Sequence, residues 1–253
     1  MKVSARALFP LWLFALLALA APSTAAEGQP VRYASGSETV EGYLVTPAGA
    51  GPFPALVVIH EWWGLNDQVK EEARRLAAEG YVALAVDLYR GRVAKDADEA
   101  HELSRGLPED RARRDLLAAF SYLAGRQDVG RNGIGSIGWC MGGGYSLALA
   151  LAEPRLAASV IYYGRLVSDE ASLDKVHAPV LGLFGEDDRG IPVASVRAFE
   201  GTMKKLGKPV EIHIYPGAGH AFANPTRPSY REAAAQDAWA KTLGFLEREL
   251  KKK

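Results

Sequence analysis

Cysteine is nearly absent from this chain: among 253 residues there is one, Cys140. A lone thiol excludes an intramolecular disulfide and any zinc site built from repeated Cys pairs. Net charge is absent too, since 30 Lys and Arg balance 30 Asp and Glu. The basic footprint of a nucleic-acid binder is therefore missing. No internal repeat appears, and no polar linker is long enough to separate one domain from another. With 48% hydrophobic and 24% charged residues, the chain is neither collagen-like, coiled-coil nor disordered. Composition points to no partner, so function must be read from local motifs.

Residues 1–26 carry the pattern of a cleavable secretory signal peptide: Lys2 and Arg6 at the start, the apolar run Ala7–Ala21, then small residues Ser23–Ala26. A spanning helix needs roughly 20 apolar residues, and this run is shorter and contains Pro10. Residues 27–253 are thus expected as one exported domain, periplasmic or secreted, a monomer or weak dimer without stable membrane insertion.

Two extended stretches, Val31–Tyr33 and Val40–Thr46, open that domain with β-branched and aromatic residues. After the Pro/Gly cluster Pro47–Pro54, the pattern changes. Apolar runs at Ala55–Ile59, Val82–Val86, Ile134–Trp139, Ala158–Tyr162, Val180–Phe184 and Val210–Tyr215 are continuous rather than alternating. That is the mark of strands buried on both faces of a parallel sheet. Between them lie stripes of helical period: Val69, Ala73, Leu76, Ala77; Leu116, Leu117, Phe120, Leu123; Val196, Phe199, Met203, Leu206; and Trp239, Leu243, Leu246, Leu250. This alternation predicts an α/β fold, a mostly parallel central sheet with helices on both faces. Arg90–Ala97 is expected as a surface loop and Lys251–Lys253 as a solvated tail.

The informative stretch is Gly138-Trp139-Cys140-Met141-Gly142, set between an apolar strand and the helical run Tyr145–Ala152. It is a nucleophile elbow with sulfur in place of the hydroxyl. A sharp strand-to-helix turn lifts the central side chain above the sheet, and glycine two residues to either side removes the obstruction. The helix N-terminus favours the thiolate, and the Met141 N–H is placed to donate to a developing oxyanion. The competing view is a buried structural cysteine.

Partners for Cys140 follow in the chain order of such enzymes, acid then base. The run Val180–Phe184 ends in Gly185-Glu186-Asp187-Asp188, so three carboxylates compete at a strand's C-terminal end. The next strand ends in Pro216-Gly217-Ala218-Gly219-His220, which makes His220 the general-base candidate. His213 and His177 suit structural roles, His101 a solvated one, and His60 a hydrogen-bonded support. Glu61, directly after the first parallel strand, is either a neighbour of the thiol or a rim carboxylate. The N–H of Trp62 beside it is the second oxyanion candidate.

These residues together resemble the dienelactone hydrolase family, on the α/β-hydrolase fold. The likeness is carried by Ile59–Asn66 (IHEWWGLN), Asp87–Gly91 (DLYRG), Gly138–Gly144 (GWCMGGG), Gly185–Pro192 (GEDDRGIP) and Gly217–Pro225 (GAGHAFANP). It implies Cys140 as nucleophile, His220 as base, Asp188 as acid and Glu61 as the carboxylate that contacts the thiol. The backbone donors it implies are Met141 and Trp62. Substrate contacts implied or adjacent are Arg90 or Arg92, Asn224 and Trp139. Some members bind a lactone carboxylate with two arginines, and Asn224 stands where the second would be. The expected function is hydrolysis of a small ester or lactone through an acyl-cysteine, with no metal or organic cofactor. The alternatives are a non-catalytic ligand-binding protein on the same scaffold, and a redox thiol.

Overall fold

A computed structural model describes residues 27–251 of the chain. The expected leader and the last two residues of the tail lie outside the described residues. The chain runs through β1 (Gln29–Ser35), β2 (Glu38–Val45), β3 (Phe53–Ile59), α1 (Asp67–Ala78) and β4 (Val82–Val86). It continues through α2 (Ala97–Arg105), α3 (Glu109–Ala124), β5 (Val129–Trp139), α4 (Met141–Ala152), β6 (Ala158–Tyr162) and α5 (Glu170–Leu173). The last elements are β7 (Val180–Gly185), α6 (Val193–Lys205), β8 (Val210–Tyr215) and α7 (Glu232–Leu246), which passes into a wider turn over Glu247–Lys251.

The strands make one sheet in the order β1-β2-β4-β3-β5-β6-β7-β8. The first two pairings, β1 with β2 and β2 with β4, are antiparallel. All the others are parallel. The continuous apolar runs are explained by cover on both faces. In β3, Ala55, Val57 and Ile59 belong to the core layer under α3 and α4, whereas Leu56 and Val58 belong to the layer on the other face, under α1. Strand β5 begins at Val129, earlier than the apolar run suggested, because Val129 pairs with Phe53 across an irregular register. Helix α5 has four residues, too few for a periodic signal. Lys251 is not a free tail residue: its Nζ donates to Glu79 O at 2.7 Å and lies 4.5 Å from the Tyr81 ring centroid.

The strand order places the functional edge. From β3 the chain steps to β4 on one side, then returns across β3 to β5 on its other side. Adjacent strands whose connections leave in opposite directions open a crevice at their C-terminal ends, where ligands of α/β sheets bind. The residues that emerge there are His60, Glu61 and Trp62 from β3 and Cys140 from β5.

Beside the β1–β2 hairpin, buried Asp115 of α3 ties the sheet edge together. It accepts from Ser35 Oγ, and Arg90 Nη2 approaches its Oδ2 at 2.8 Å and Glu38 at 3.0 Å. Asp87 shapes the turn that carries Arg90, accepting from the N–H groups of Tyr89 and Gly91. Arg90 itself sits at φ 58°. Removing this arginine leaves a buried carboxylate with weaker partners. Arg90→Met should therefore lower stability by about 1–2 kcal/mol, the discounted worth of a partly exposed pair, measured by thermal or urea unfolding. Its KM on any turned-over ester should stay at the wild-type value.

Candidate active site

Cys140 occupies a backbone conformation that few side-chain-bearing residues adopt, with φ 54° and ψ −117°. Conformations of this kind cost on the order of 1–3 kcal/mol and persist where the surroundings impose them. Here the imposition is visible. The Cys140 N–H donates to Tyr162 O at 3.0 Å, and its carbonyl accepts from Gly143 and Gly144 in the first turn of α4. A Cβ at Gly138 would lie 2.0 Å from Gly142 O, and one at Gly142 would lie 2.2 Å from Ile59 O. The two glycines thus permit β3, β5 and α4 to meet closely enough to raise the sulfur, which remains partly exposed.

Asp188 follows β7 as expected, and among Glu186, Asp187 and Asp188 it is the one turned inward, 3% exposed. Its Oδ1 accepts from the N–H groups of Gly190 (2.8 Å) and Ile191 (3.0 Å), and its Oδ2 meets His220 Nδ1 at 2.7 Å. Burial works against its charge, but these donors prevail and hold its carboxyl below the usual range. His220 shows the mirror effect. Burial opposes the charged ring, yet the Asp188 carboxylate and the Cys140 thiol raise its pKa to about 10. Cys140 and His220 both line the two cavities that meet at the sheet edge.

The N–H groups of Trp62 and Met141 have no acceptor among the described residues. Met141 opens α4, so its N–H lacks an intrahelical partner. Trp62 is flanked edge-on by His101 at 4.8 Å and by Trp63 at 5.1 Å; His101 is exposed, as its place in a polar helix suggested, with one side of its ring against Trp62. Directly behind, His60 is fully buried and hydrogen-bonds Glu61 O through Nδ1, while its Nε2 accepts from Leu88 N at 3.3 Å. Burial lowers its pKa, which keeps the ring neutral and suits the support role read from its position.

Glu61 is 4% exposed and differs from the expected arrangement. Its Oε2 accepts from Asn224 Nδ2 at 2.8 Å and its Oε1 from the Tyr163 hydroxyl at 3.3 Å; no hydrogen bond to Cys140 occurs among the described residues. Burial raises its pKa, opposed by Asn224, the charges of Arg227 and His220, and Tyr163. Asn224 is consequently not a substrate contact. Its amide nitrogen donates to Glu61, its oxygen accepts from Thr226, and it is buried outside the lining of both cavities at the thiol.

Three further expectations are corrected. Arg90 is engaged with Glu38 and Asp115, and Arg92 pairs with Glu99 at 3.1 Å, so neither faces the thiol. Trp139 points to the other face of the sheet, 5.4 Å from the Tyr162 ring, and lines a separate cavity of about 290 Å³. Trp139 is the last residue of β5, and the turn at Cys140 directs the next side chain elsewhere. Positively charged groups do reach the two cavities at the thiol: Arg105, Arg113, Arg165 and Lys175 line the larger one, and Arg227 lines the smaller one. The Arg227 guanidinium lies 3.7 Å from the Trp63 ring centroid, its Nε has no hydrogen-bond partner, and it lines a cavity of about 390 Å³ with Glu61, Cys140 and His220. The larger cavity, about 1110 Å³, extends from the same thiol over Met141, Tyr145 and Leu107. Arg227 and Tyr163 were not singled out from the sequence. Tyr163 directly follows a strand's C-terminal end, a positional signal available in advance; Arg227 lies in a loop with none. No group of three or more His, Cys, Asp or Glu side chains among the described residues is arranged to hold a metal ion.

A parallel sheet, a strained cysteine at a strand-to-helix turn and a His–Asp pair beyond later strands define the α/β-hydrolase class. The model of the dienelactone hydrolase family matches residues 40–250, and the chain belongs to that family, whose members cleave esters and lactones. A Methylorubrum extorquens protein bearing the name carboxymethylenebutenolidase is 36% identical over 218 residues, covering 79% of this chain and 74% of its own. A Klebsiella pneumoniae crystal structure bearing the name dienelactone hydrolase aligns with TM-score 0.77 and 29% identity, over 87% of this chain and 99% of its own. A dienelactone hydrolase-like promiscuous phosphotriesterase from metagenomic libraries aligns with TM-score 0.81 and 27% identity, over 88% and 98%.

The electrostatics of the pair can be measured without substrate. Asp188→Asn should bring the His220 titration down from about 10 by at least about one unit, read from imidazole NMR shifts. The linked stability has a definite sign. With its pKa raised from 6.5 to about 10, His220 contributes stability that is complete below about pH 6.5 and is lost as the pH rises through 10. Unfolding midpoints between pH 7 and 10.5 should therefore fall more steeply for the wild type than for Asp188→Asn.

Proposed function

We propose that this enzyme hydrolyses a small carboxylic ester or lactone through an acyl-cysteine intermediate on Cys140, with His220 as acid–base group and Asp188 orienting it. The observation that carries this reading is the 2.7 Å contact of His220 with buried Asp188, beside a cysteine held at φ 54°. A ring with a pKa near 10 is protonated at neutral pH, so a positive charge and the N-terminus of α4 both stand beside the sulfur.

The steps follow from that charge distribution. The Cys140 thiolate attacks the carbonyl carbon, forming the C–S bond and moving the π electrons onto oxygen. The N–H groups of Trp62 and Met141 are the free donors available to hold that oxyanion. Collapse breaks the C–O bond, and the departing alkoxide takes the proton carried by His220. In a lactone the alkoxide stays attached to the acyl group. Water then attacks the thioester as His220 accepts its proton, and the acid leaves with the thiolate restored.

Two cavities sharing the thiol support an ester with one arm in each, or a lactone in the smaller one. Arg227, whose guanidinium lies on the Trp63 ring at the wall of the smaller cavity, is the group suited to a carboxylate on the acyl side, in place of the arginine that Asn224 displaces. Cleavage of residues 1–26 would deliver the enzyme outside the cytoplasm as a monomer or weak dimer, acting on small molecules without cofactor or metal.

Cys140→Ala should reduce turnover of any accepted ester by about 10³-fold or more. Intact mass of the wild type quenched during turnover of a slow ester should show one acyl adduct, absent from Cys140→Ala. Undiminished hydrolysis by that variant, purified free of host esterases, would overturn the proposal. Arg227→Gln should raise KM for a carboxylated lactone about 10-fold or more while leaving a neutral lactone nearly unaffected, as loss of a charge-assisted hydrogen bond requires.

A further inference from the structure

Tyr163 has a placement that the hydrolytic steps above do not require. It follows β6 at the functional edge, is fully buried, and holds φ at 37°, in a region that bulky side chains avoid. Its N–H donates to Leu183 O at 2.8 Å, which anchors the backbone on β7. Gly164 follows, where a Cβ would lie 2.3 Å from Gly143 C, so the chain passes against the first turn of α4. The result of this twist is the direction of the side chain. The ring stands edge-on to His220, with centroids 5.2 Å apart, and to Phe222 at 5.5 Å. The hydroxyl donates to Glu61 Oε1 at 3.3 Å. One residue therefore touches both the base and the buried acid, which share no hydrogen bond with each other among the described residues.

We infer that Tyr163 is a positioning residue of this site: its ring fixes the imidazole of His220 and its hydroxyl holds Glu61, so that it sets the spacing between the buried acid and the base. The inference rests on the hydrolytic reading of Cys140, His220 and Asp188. Strain at φ 37° is what a protein tolerates to aim a side chain at a functional group. The hydroxyl stays a donor, because burial, followed by the nearby Glu61 and Cys140, raises the phenol pKa well above its ordinary value.

The groups that face Glu61 define the expected pH response. Tyr163 comes from the end of β6, and Asn224, Arg227 and His220 from the segment after β8; Cys140 shares the cavity from the elbow. Tyr163, Asn224, Arg227 and His220 all lower the Glu61 pKa against the raising effect of burial. Deleting the phenol oxygen removes one lowering contribution, so Glu61 takes up its proton at higher pH.

Tyr163→Phe keeps the ring and removes the hydroxyl. The acid limb of its kcat/KM profile should move up by about 0.5–1 pH unit, the shift equivalent to one ordinary hydrogen bond. Tyr163→Leu removes the ring as well and should lower kcat about 10-fold or more across the whole pH range. A merely structural tyrosine would depress the melting temperature and leave the acid limb in place. An acid limb of Tyr163→Phe superimposable on that of the wild type overturns the inference. Because Cys140 is the only thiol, its alkylation by iodoacetamide against pH, followed by intact mass, gives a second readout independent of turnover. If the wild type hydrolyses no ester or lactone, the hydrolytic reading fails. The alkylation profile of Tyr163→Phe then decides alone, an upward-shifted inflection supporting the contact's role and an unshifted one refuting it.

Discussion

The structure depends on a backbone that is forced where it is least comfortable. Cys140 at φ 54° is stable only because β3, β5 and the first turn of α4 close around it. That closure is possible only with hydrogen in place of side chains at positions 138 and 142. The hydrogen bond from Cys140 N to Tyr162 O extends the constraint to the neighbouring strand. The strain is offset by the packing of the sheet's centre, where the apolar side chains of β3, β5 and β6 are almost wholly removed from water. The sulfur is thereby presented without being free to move.

Around that point the charges are arranged in opposed pairs. Asp188 is held ionised by two backbone N–H groups and by His220, whose ring it helps to keep protonated. Glu61 is held by Asn224 and Tyr163 with Arg227 nearby. Burial raises the cost of charge at both carboxylates, and the donors around each answer it. Behind them, neutral His60 joins the ends of β3 and β4 by bonding both Glu61 O and Leu88 N. A displaced imidazole there would loosen the segment that carries Glu61 and the Trp62 N–H.

The differences from the family pattern concern how the acid is held and where positive charge enters. Asn224 stabilises Glu61 through a neutral amide, so the buried carboxylate does not depend on an arginine at that position. The nearby cation is Arg227, three residues further on, laid against Trp63. An aromatic face supports a guanidinium without consuming its donors. Arg90 and Arg92 answer acids instead, Asp115 and Glu38 for the first and Glu99 for the second.

Much was legible in the residues themselves. Continuous apolar runs and helical stripes gave away a parallel sheet covered on both faces, because burial dictates side-chain polarity wherever it occurs. The glycines around Cys140 marked the elbow because no other residue fits a close backbone approach. The loop after β8 marked His220 because a strand's C-terminal end is where such sites form. Orientation and long-range pairing were not legible. Trp139 is adjacent to Cys140 in sequence and on the opposite face in space, Asn224 bonds an acid 163 positions away, and Tyr163 meets both His220 and Glu61 only after the sheet has formed. Sequence alone determined which residue types would stand at the sheet's functional edge, since local backbone geometry and burial are encoded locally. The tertiary structure alone decided which of them face one another, since that depends on strand order, twist and the packing of segments far apart in the chain.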